Sequence, residues 1–464
     1  MAPAPQAYRP DPAIVSLGET IATPVEPARF PALTLRYRND RAAAEVGLDG
    51  LSDAEWIAHF GRFEPLDDNL AQPLALKYHG HQFRSYNPEI GDGRGFLFAQ
   101  MRDRQGRLMD LGTKGSGRTP YSRFGDGRLT LKGGVREILA TEMLEALGVA
   151  TSRSFSLIET GEQLDRNDEP SPTRAAVLVR FSHGHIRIGS FQRLAYERDE
   201  EALKRLTDYA LATYFSETPG DDAPARLLGQ VVRRTARLAA SYMAAGFVHG
   251  VLNSDNINIT GESFDYGPWR FAPSFDPGFT AAYFDHQGLY AFGRQAEAIQ
   301  WDVMQLAIAL RLVSESDPLV AALETFPAAY RAALAERFCW RLGVRQRCAE
   351  EDIALIQAME QALIDSQAGL DRFFFDWSGG SPRPSPAGET YASAAFAPFR
   401  TAIAAYEPAR ALDHAYWSGE PCSMLIDEVE AIWDRIAQED DWSPLYAKVR
   451  AIRAMGEALT PAGK

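Results

Sequence analysis

Two short segments in the second half of the chain carry side chains of the kind that hold metal ions against phosphates. The first reads FVHGVLNSDN at 247–256, and the second reads FDYG at 264–267. Protein kinases carry H-R-D-L-x-x-x-N followed by D-F-G, in which the Asn and the second Asp bind the metal ions. Asn256 and Asp265 occupy the corresponding places, so the pattern predicts a metal–phosphate site.

One departure from that pattern changes the expected chemistry. His249 matches the His of the motif, but the catalytic Asp is replaced by Val251, which cannot accept a proton. A carboxylate does occur at Asp255, next to Asn256. The spacing therefore predicts a kinase-like loop that lacks the usual proton-accepting residue.

A glycine-rich segment in the first half, IGDGRGF at 90–96, directly precedes a predicted strand. Glycines at alternate positions, including Gly91 and Gly93, let backbone N–H groups approach a polyphosphate, and Arg94 adds positive charge. The same letters also suit a tight hairpin turn. From this segment alone both interpretations stay open.

One strand later, the run DLGTK ends on Lys114. A Lys that ends an apolar strand after a glycine-rich loop is the kinase arrangement, in which it contacts phosphates and pairs with a Glu of the next helix. That helix, predicted at about 133–147, supplies both Glu137 and Glu142, and its periodicity does not choose between them. The alternative for Lys114 is a solvated strand end.

The hydrophobic patterning around these segments predicts two lobes. From about 90 to 181, short strand-like runs alternate with Gly-rich or polar turns, interrupted only by the helix at about 133–147. Beyond 195 helices dominate, and they are predicted near 297–314, 318–343, 350–369, 392–407, 423–438 and 444–457, with short strand-like text at 257–259 and Phe271. We therefore predict an α+β, bilobal protein-kinase-like fold with a ligand cleft between the lobes.

The predicted organisation has four parts. Residues 1–75 form an extended proline-rich arm and short helices that pack on the core. A kinase-like N-lobe spans 76–190, and a kinase-like C-lobe with the catalytic and metal-binding loops spans 191–345. A helical extension fills 346–464, and its aromatic run 373–375 with Trp377 is expected in the core or at a contact between the lobes.

Composition and charge narrow the classes of partner. The 464 residues carry 48 Lys plus Arg against 62 Asp plus Glu, a net charge of −14. This acidic balance disfavours nucleic acid and anionic membranes, although a local basic pocket can still hold phosphates. No stretch approaches the ~20 consecutive apolar residues of a membrane helix.

Other motifs exclude several enzyme classes and suggest a compartment. The 3 cysteines show no C-x-x-C spacing, which excludes zinc ribbons and thioredoxin-like sites and suits a reducing compartment. With no secretory pattern at the N-terminus, we expect a cytoplasmic protein. Neither G-x-S-x-G nor a Walker motif occurs, and the pairs His79/His81 and His183/His185 are expected to be ordinary hydrogen-bonded histidines.

Several longer runs of the sequence resemble those of a known protein family. The chain resembles the selenoprotein O (SelO/YdiU) family from about 30 to 440, on the runs KYHGHQF, GDGRG, DLGTKGSGRTPYSRFGDGRLTLKGG, VREILATEML, VLVRFSHGHIRIGSF, HGVLNSDNINITGESFDYGP and DHQGLYAFGRQ. The resemblance implies a pseudokinase fold that transfers AMP from ATP to protein hydroxyls (Ser, Thr or Tyr), with ATP bound in reversed orientation and pyrophosphate released. Some members transfer UMP with manganese, so UTP and Mn²⁺ are implied beside ATP and Mg²⁺.

The resemblance also implies roles for single residues. Asp255 is the implied proton acceptor, Asn256 and Asp265 the implied metal ligands, and Glu137, rather than Glu142, the implied partner of Lys114. The implied nucleotide-binding residues are Gly91, Gly93, Arg94, Lys114, Asp126, Gly127, Arg180, Arg187 and Asp265. Four of these residues are cations: Arg94, Lys114, Arg180 and Arg187. In a protein of net charge −14, such a group of positive charges suits a triphosphate.

Two other functions remain open from the sequence. An ordinary phosphotransferase is compatible with the fold, and so is a catalytically inactive nucleotide-binding scaffold. Val251 disfavours the kinase, whereas Asn256 and Asp265 disfavour the scaffold. Many family members carry a Cys in a C-terminal tail, but this sequence has none there or at 279–284, so a redox switch between those segments is not expected.

Overall fold

The computed structural model describes residues 7–167 and 169–460, and its first half is built on an antiparallel sheet. The strands of this small lobe are β1 (Ala22–Pro24), β2 (Thr34–Arg38), β3 (Leu74–Leu76), β4 (Gly80–Gln82), β5 (Ser85–Asn87), β6 (Leu97–Arg102), β7 (Leu108–Lys114), β8 (Leu129–Thr130), β9 (Arg153–Leu164) and β10 (Thr173–Ser182). The main sheet has the order β1-β3-β6-β7-β10-β9-β2, and β8 pairs with β10. Strands β4 and β5 form a separate hairpin.

Helices cover both faces of the main sheet. On one face lie α1 (Asp40–Val46) and α2 (Asp53–Gly61), where Trp56 stacks on Phe155 with ring centroids 4.9 Å apart. On the other lies α3 (Leu131–Ala146), whose Ile138 and Leu139 share a core with Leu178. Because both faces are buried, β7 and β10 read as nearly continuous buried runs rather than as alternating ones.

The large lobe is mainly helical. It contains α4 (Ile188–Glu197), α5 (Glu200–Phe215), α6 (Ala223–Ala245), α7 (Gln295–Leu310), α8 (Ser316–Leu323), α9 (Phe326–Leu342), α10 (Ala349–Ser366), α11 (Leu370–Asp376), α12 (Gly388–Ala392), α13 (Ala397–Ile403), α14 (Ile426–Glu439) and α15 (Ser443–Leu459). A two-stranded sheet pairs β11 (Phe247–Val248) with β12 (Arg270–Phe271), and it brackets the loop that carries the kinase-like motif. The architecture is the bilobal α+β, kinase-like arrangement that the sequence predicts.

Several local predictions were wrong, each for a physical reason. The arm predicted to be extended contains a 3₁₀ turn at Ala13–Thr20 that buries Ile14 and Leu17, and β1 and β2 join the main sheet. The helix predicted at 318–343 is two helices, because Pro327 is tolerated only in the first turn of α9. Residues 392–407 are likewise divided, with Pro398 in the first turn of α13.

The strand expected at 257–259 is also absent. Only an isolated bridge between Asn258 and Arg187 occurs there. The aromatic run at 373–375 is buried, as predicted. The tail at 462–464 lies outside the described residues. Within the described parts of the chain, no helix has the length and apolarity that a bilayer crossing requires.

Candidate active site

A cavity of about 720 Å³ opens between the small lobe and the motif loops of the large lobe. It brings together residues that are far apart in the sequence. Its lining includes Gly91, Gly93, Arg94, Lys114, Asp126, Gly127, Arg180, Arg187, Asp255 and Asp265. Of the site residues that the resemblance implies, Glu137 and Asn256 do not line it.

Lys114 lies at the end of β7 and forms two ion pairs. Its Nζ donates to Glu137 Oε1 of α3 and lies 2.8 Å from Asp265 Oδ1. The ammonium group is thus held between the helix of the small lobe and the DFG-like segment of the large lobe. The second oxygen, Glu137 Oε2, is buried without a hydrogen-bond partner.

Asp265 is held as a carboxylate in a cationic setting. Its backbone is left-handed, with φ of 62°, and its side chain lies 2.8 Å from Lys114 Nζ and 3.6 Å from Arg180 Nη1. Burial by itself would raise the pKa of Asp265, but Lys114, Arg180 and Arg94 outweigh that effect and hold the pKa well below its usual range. The group is therefore ionised at neutral pH, as a metal ligand must be.

Two buried arginines leave donors without partners beside Asp265. Arg180 Nη1 is 3.6 Å from Asp265 Oδ1, yet neither Nε nor Nη1 of Arg180 makes a hydrogen bond. Arg187 donates from Nη1 to the Asp255 carbonyl (3.0 Å), but its Nε has no partner. Because both arginines line the cavity, these unpaired donors are placed where an anionic ligand can accept hydrogen bonds from them.

Asp255 lies in the 3₁₀ turn Ser254–Asn256 at the large-lobe side of the cavity. Burial raises the pKa of its carboxyl to about 7, although the nearby Arg187 acts in the opposite direction. Its Oδ1 has no hydrogen-bond partner. A buried carboxyl with a pKa near neutrality can accept a proton from a hydroxyl group.

The glycines at 91 and 93 are required for a different physical reason from the one that the sequence suggested. A Cβ at Gly91 would lie 2.6 Å from the Tyr121 ring, and one at Gly93 would lie 2.9 Å from the Tyr121 carbonyl oxygen. The glycines therefore make room for the segment around Tyr121, while their backbone still lines the cavity. Residues 90–96 do not connect a hairpin, because β5 pairs with β4 and β6 pairs with β3 and β7, and the ligand-binding interpretation stays a prediction.

The segment that contains Asp126 and Gly127 lines the cavity. Asp126 accepts a hydrogen bond from the Arg128 amide (2.9 Å) and pairs with Arg166 at 2.9 Å. Burial would raise its pKa, but these partners lower it. Gly127 has φ of 72°, and a Cβ there would lie 2.3 Å from the Gly117 backbone. Asp126 thus orders this segment through bonds within the protein.

The possible metal ligands are all oxygens. Asn256 donates from Nδ2 to the Val251 carbonyl at 3.0 Å, which fixes its amide beside Asp255. Among the described residues, no group of three or more His, Cys, Asp or Glu side chains has metal-binding geometry. The amide oxygen of Asn256 and the carboxylate of Asp265 fit Mg²⁺ or Mn²⁺, because such ions usually take one or two protein oxygens and complete their shell with substrate phosphates and water.

Sequence reasoning missed several lining residues. Tyr78 packs against the Arg187 guanidinium, 4.0 Å from its ring centroid, and Asp92 Oδ1 lies 3.4 Å from Arg187 Nη2. Phe124 is fully exposed at the rim, beside 165–167. Asp92 stands within the glycine-rich run and Tyr78 within KYHGHQF, so both were visible in quoted motifs, whereas no pattern indicated 165–167.

The histidine pairs are hydrogen-bonded within the protein. His79 Nδ1 is 2.9 Å from Tyr86 Oη, and Gln192 Nε2 is 2.8 Å from His81 Nδ1. His183 Nδ1 is 2.8 Å from the Leu108 carbonyl, and His185 Nδ1 is 3.2 Å from Asp110 Oδ2. These contacts give each pair a structural role.

Comparison with known proteins gives a consistent result over most of the chain. Residues 6–382 match the family model described as protein adenylyltransferase SelO. A protein nucleotidyltransferase YdiU of Synechococcus elongatus is 43% identical over 487 aligned positions, which cover 96% of this chain and 95% of the relative. A protein of the same name from Gloeobacter violaceus is 44% identical over 460 positions, covering 96% and 94%.

Solved structures give weaker matches. A Toxoplasma gondii rhoptry antigen kinase domain aligns with a TM-score of 0.29 and 13% identity, over 57% of this chain and 83% of that one. ROP2 from the same organism, described as having a protein-kinase fold and no enzymatic activity, aligns with a TM-score of 0.28 and 12% identity over 63% and 84%. Because these scores are low, the arrangement of the lobes rests on the elements and contacts described above.

Proposed function

The chain belongs to the SelO family of protein adenylyltransferases, and from this premise we propose that it transfers AMP from ATP to hydroxyl side chains of proteins. In this reaction the oxygen of a protein hydroxyl forms a bond to the α-phosphorus. The bond between that phosphorus and the oxygen that bridges to the β-phosphorus breaks. Pyrophosphate leaves, and the proton of the hydroxyl passes to the Asp255 carboxylate.

The observation that carries this proposal is the cluster of buried cations beside Asp265. Lys114, Arg180 and Arg187 lie in the cavity, and the two arginines keep donors without partners. Their charge suits a leaving pyrophosphate, on which negative charge increases as the bond breaks. Arg94 is exposed at the same cavity and can add to this charge.

Asn256 and Asp265 would hold the divalent cation. When bound, Mg²⁺ or Mn²⁺ supplies charge neutralisation at the phosphates. The carboxylate of Asp265 is already ionised, and Lys114 fixes its position. Glu137 in turn orients Lys114 from α3. The same proposal includes Mn²⁺ in place of Mg²⁺ and UTP in place of ATP.

Val251 favours nucleotidyl transfer over an ordinary kinase. The usual kinase base would stand at this position, and a valine side chain accepts no proton. Asp255 lies four residues further on and lines the cavity, where its carboxylate can accept the proton of a hydroxyl group. The presence of Asn256 and Asp265 disfavours the inactive scaffold, because both supply oxygen ligands of the kind that hold metal ions against phosphates.

Labelled nucleotides test the chemistry directly. Incubation with ATP labelled at the α-phosphorus should label protein, and ATP labelled at the γ-phosphorus should not. Label from the γ position alone would identify a kinase, and label from neither position would identify a scaffold. The intact mass of the modified protein gives an independent measurement, because an AMP adduct and a phosphate differ in mass.

The role of Asp255 has its own test. Asp255→Ala should slow α-labelling by about ten- to a hundredfold, since a positioned base typically contributes at least that much. Label at the wild-type rate would show that the hydroxyl proton leaves by another route.

The substrates and the compartment complete the proposal. We infer that ATP and protein hydroxyls are the substrates, with no nucleic acid or membrane as partner. The cysteines Cys339, Cys348 and Cys422 are all free thiols, which supports a reducing compartment and thus the cytoplasm.

A further inference from the structure

The second buried glutamate of α3 belongs to a separate cluster, away from the nucleotide cavity. Glu142 accepts hydrogen bonds from Tyr37 Oη (2.5 Å) and from Arg453 Nε and Nη2 (2.8 and 2.5 Å). Arg453 Nη2 also donates to Tyr37 Oη at 3.1 Å, and Arg41 Nη2 lies 3.5 Å from Glu142 Oε2. Arg453 belongs to α15, so this cluster joins the C-terminal helix to the small lobe.

The first turn of α3 is held by α14, the helix that precedes α15 in the chain. Lys132 Nζ donates to Glu430 Oε2 of α14 at 2.6 Å. Helices α14 and α15 are joined to each other by Lys448 and Glu428 at 2.7 Å. The pair therefore contacts α3 near both of its ends, and Glu137 lies between the two contacts.

The same helix pair also reaches the DFG-like segment. Arg136 of α3 lies 3.9 Å from Glu430 Oε1. It donates from Nη2 to the Trp269 carbonyl at 3.1 Å and packs over the Trp269 ring at 4.8 Å. Trp269 follows Asp265 by four residues, so α14 touches, through Arg136, the segment that carries the proposed metal ligand.

We propose that α14 and α15 act as a clamp that fixes α3 at the rotation and depth at which Glu137 orients Lys114. Glu137 and Glu142 are five residues apart and so point about 140° away from each other around the helix. Glu137 therefore points towards Lys114, while Glu142 is held on another side of the helix by Arg453. Arg453 and Glu142 are positioning residues in this arrangement, and neither lines the nucleotide cavity.

A double-mutant cycle tests the clamp, and it rests on the proposed AMP transfer as readout. Arg453→Met should lower the single-turnover rate of α-labelling about tenfold, which is within the range found for residues that act through others. If Arg453 acts through Glu137, the same change made in a Glu137→Gln background should cost almost nothing further. Arg453→Lys should restore part of the rate. Arg450→Met, at an exposed position of the same helix, is the matched control and should leave the rate unchanged.

Three outcomes would overturn the clamp: an unchanged rate in Arg453→Met, additive losses in the double variant, or an equal loss in Arg450→Met. A merely structural role gives additive losses, because destabilisation does not depend on Glu137. If Arg453→Met does not fold, Lys132→Met at the other end of α3 enters the same cycle. Absence of α-labelling in the wild type would refute the proposed function instead, and the cycle would then be measured on the Kd for ATP with Mg²⁺.

Discussion

Helix α3 carries two buried glutamates whose surroundings differ in one respect. Both oxygens of Glu142 are hydrogen-bonded, to Tyr37 and Arg453. At Glu137 one oxygen bonds Lys114 and the other has no partner. The incomplete hydrogen bonding continues across the cavity to Arg180 and Arg187. The Glu142 contacts join two parts of the fold, whereas the unpaired donors of Arg180 and Arg187 line the cavity, where a ligand can accept from them.

The largest expected effect lies on the cavity side. Asp265→Ala should reduce α-labelling by about a thousandfold or more, because the metal loses a carboxylate ligand and the cations beside it lose their counter-charge. The fold should persist, since Asp265 contributes charge rather than packing. Asp434→Ala, at an exposed position of α14, is the control and should label at the wild-type rate. Unchanged turnover of Asp265→Ala at saturating Mg²⁺ would refute the metal assignment.

The next effect tests whether Lys114 is part of the ligand site. Lys114→Ala should lower the rate of AMP transfer by about a hundredfold, the usual loss when one preorganised group at the reacting phosphates is removed. Lys204→Ala, at an exposed position of α5, should have no effect. If ATP affinity and rate were both unaltered in Lys114→Ala, Lys114 would be only a charge at the end of a strand.

The difference between the two glutamates explains what could be predicted from the sequence. The loop residues Asn256 and Asp265 and the strand-end Lys114 follow from local spacing, so motifs suffice to single them out. Periodicity does not separate Glu137 from Glu142, because both lie on buried sides of α3. Glu142 pairs with Arg453, which is 311 residues away in the sequence, and this contact shows that Glu142 is not the partner of Lys114. Local patterns hold no record of such a contact.

The N-terminal strands were missed for a related reason. Strand β2 pairs with β9 at the edge of the main sheet, and β1 pairs with β3. Both strands are short, and their pairing depends on segments far along the chain. Proline spacing correctly excluded a long helix in this region, but it could not indicate which sheet edge the segment would join.

A smaller effect is expected for stability at the Glu142 cluster. Glu142→Gln should lower the free energy of unfolding by about 2 kcal/mol, because it removes the charge that faces Arg453 and Arg41 in a mostly buried setting. Urea denaturation measures the change, with Glu145→Gln, on the same helix but more exposed, as the comparison. Equal losses in both variants would show that the Glu142 contacts have no special weight.

The smallest expected effect has the opposite sign. Arg180→Met should leave the stability of the nucleotide-free protein unchanged or raise it by about 1 kcal/mol, since it removes a buried cation with two unpartnered nitrogens. Asp265 would keep Lys114 as its partner at 2.8 Å.

The same variant should lose most of its ATP affinity, because it removes an arginine whose unpaired N–H groups can donate to phosphate oxygens. Denaturation curves with and without ATP and Mg²⁺ measure both effects: the wild type should gain stability from the nucleotide, and Arg180→Met should gain far less. A clear loss of stability in the nucleotide-free variant would mean that Arg180 is a structural residue, and the contrast between the two sides of α3 would then be wrong.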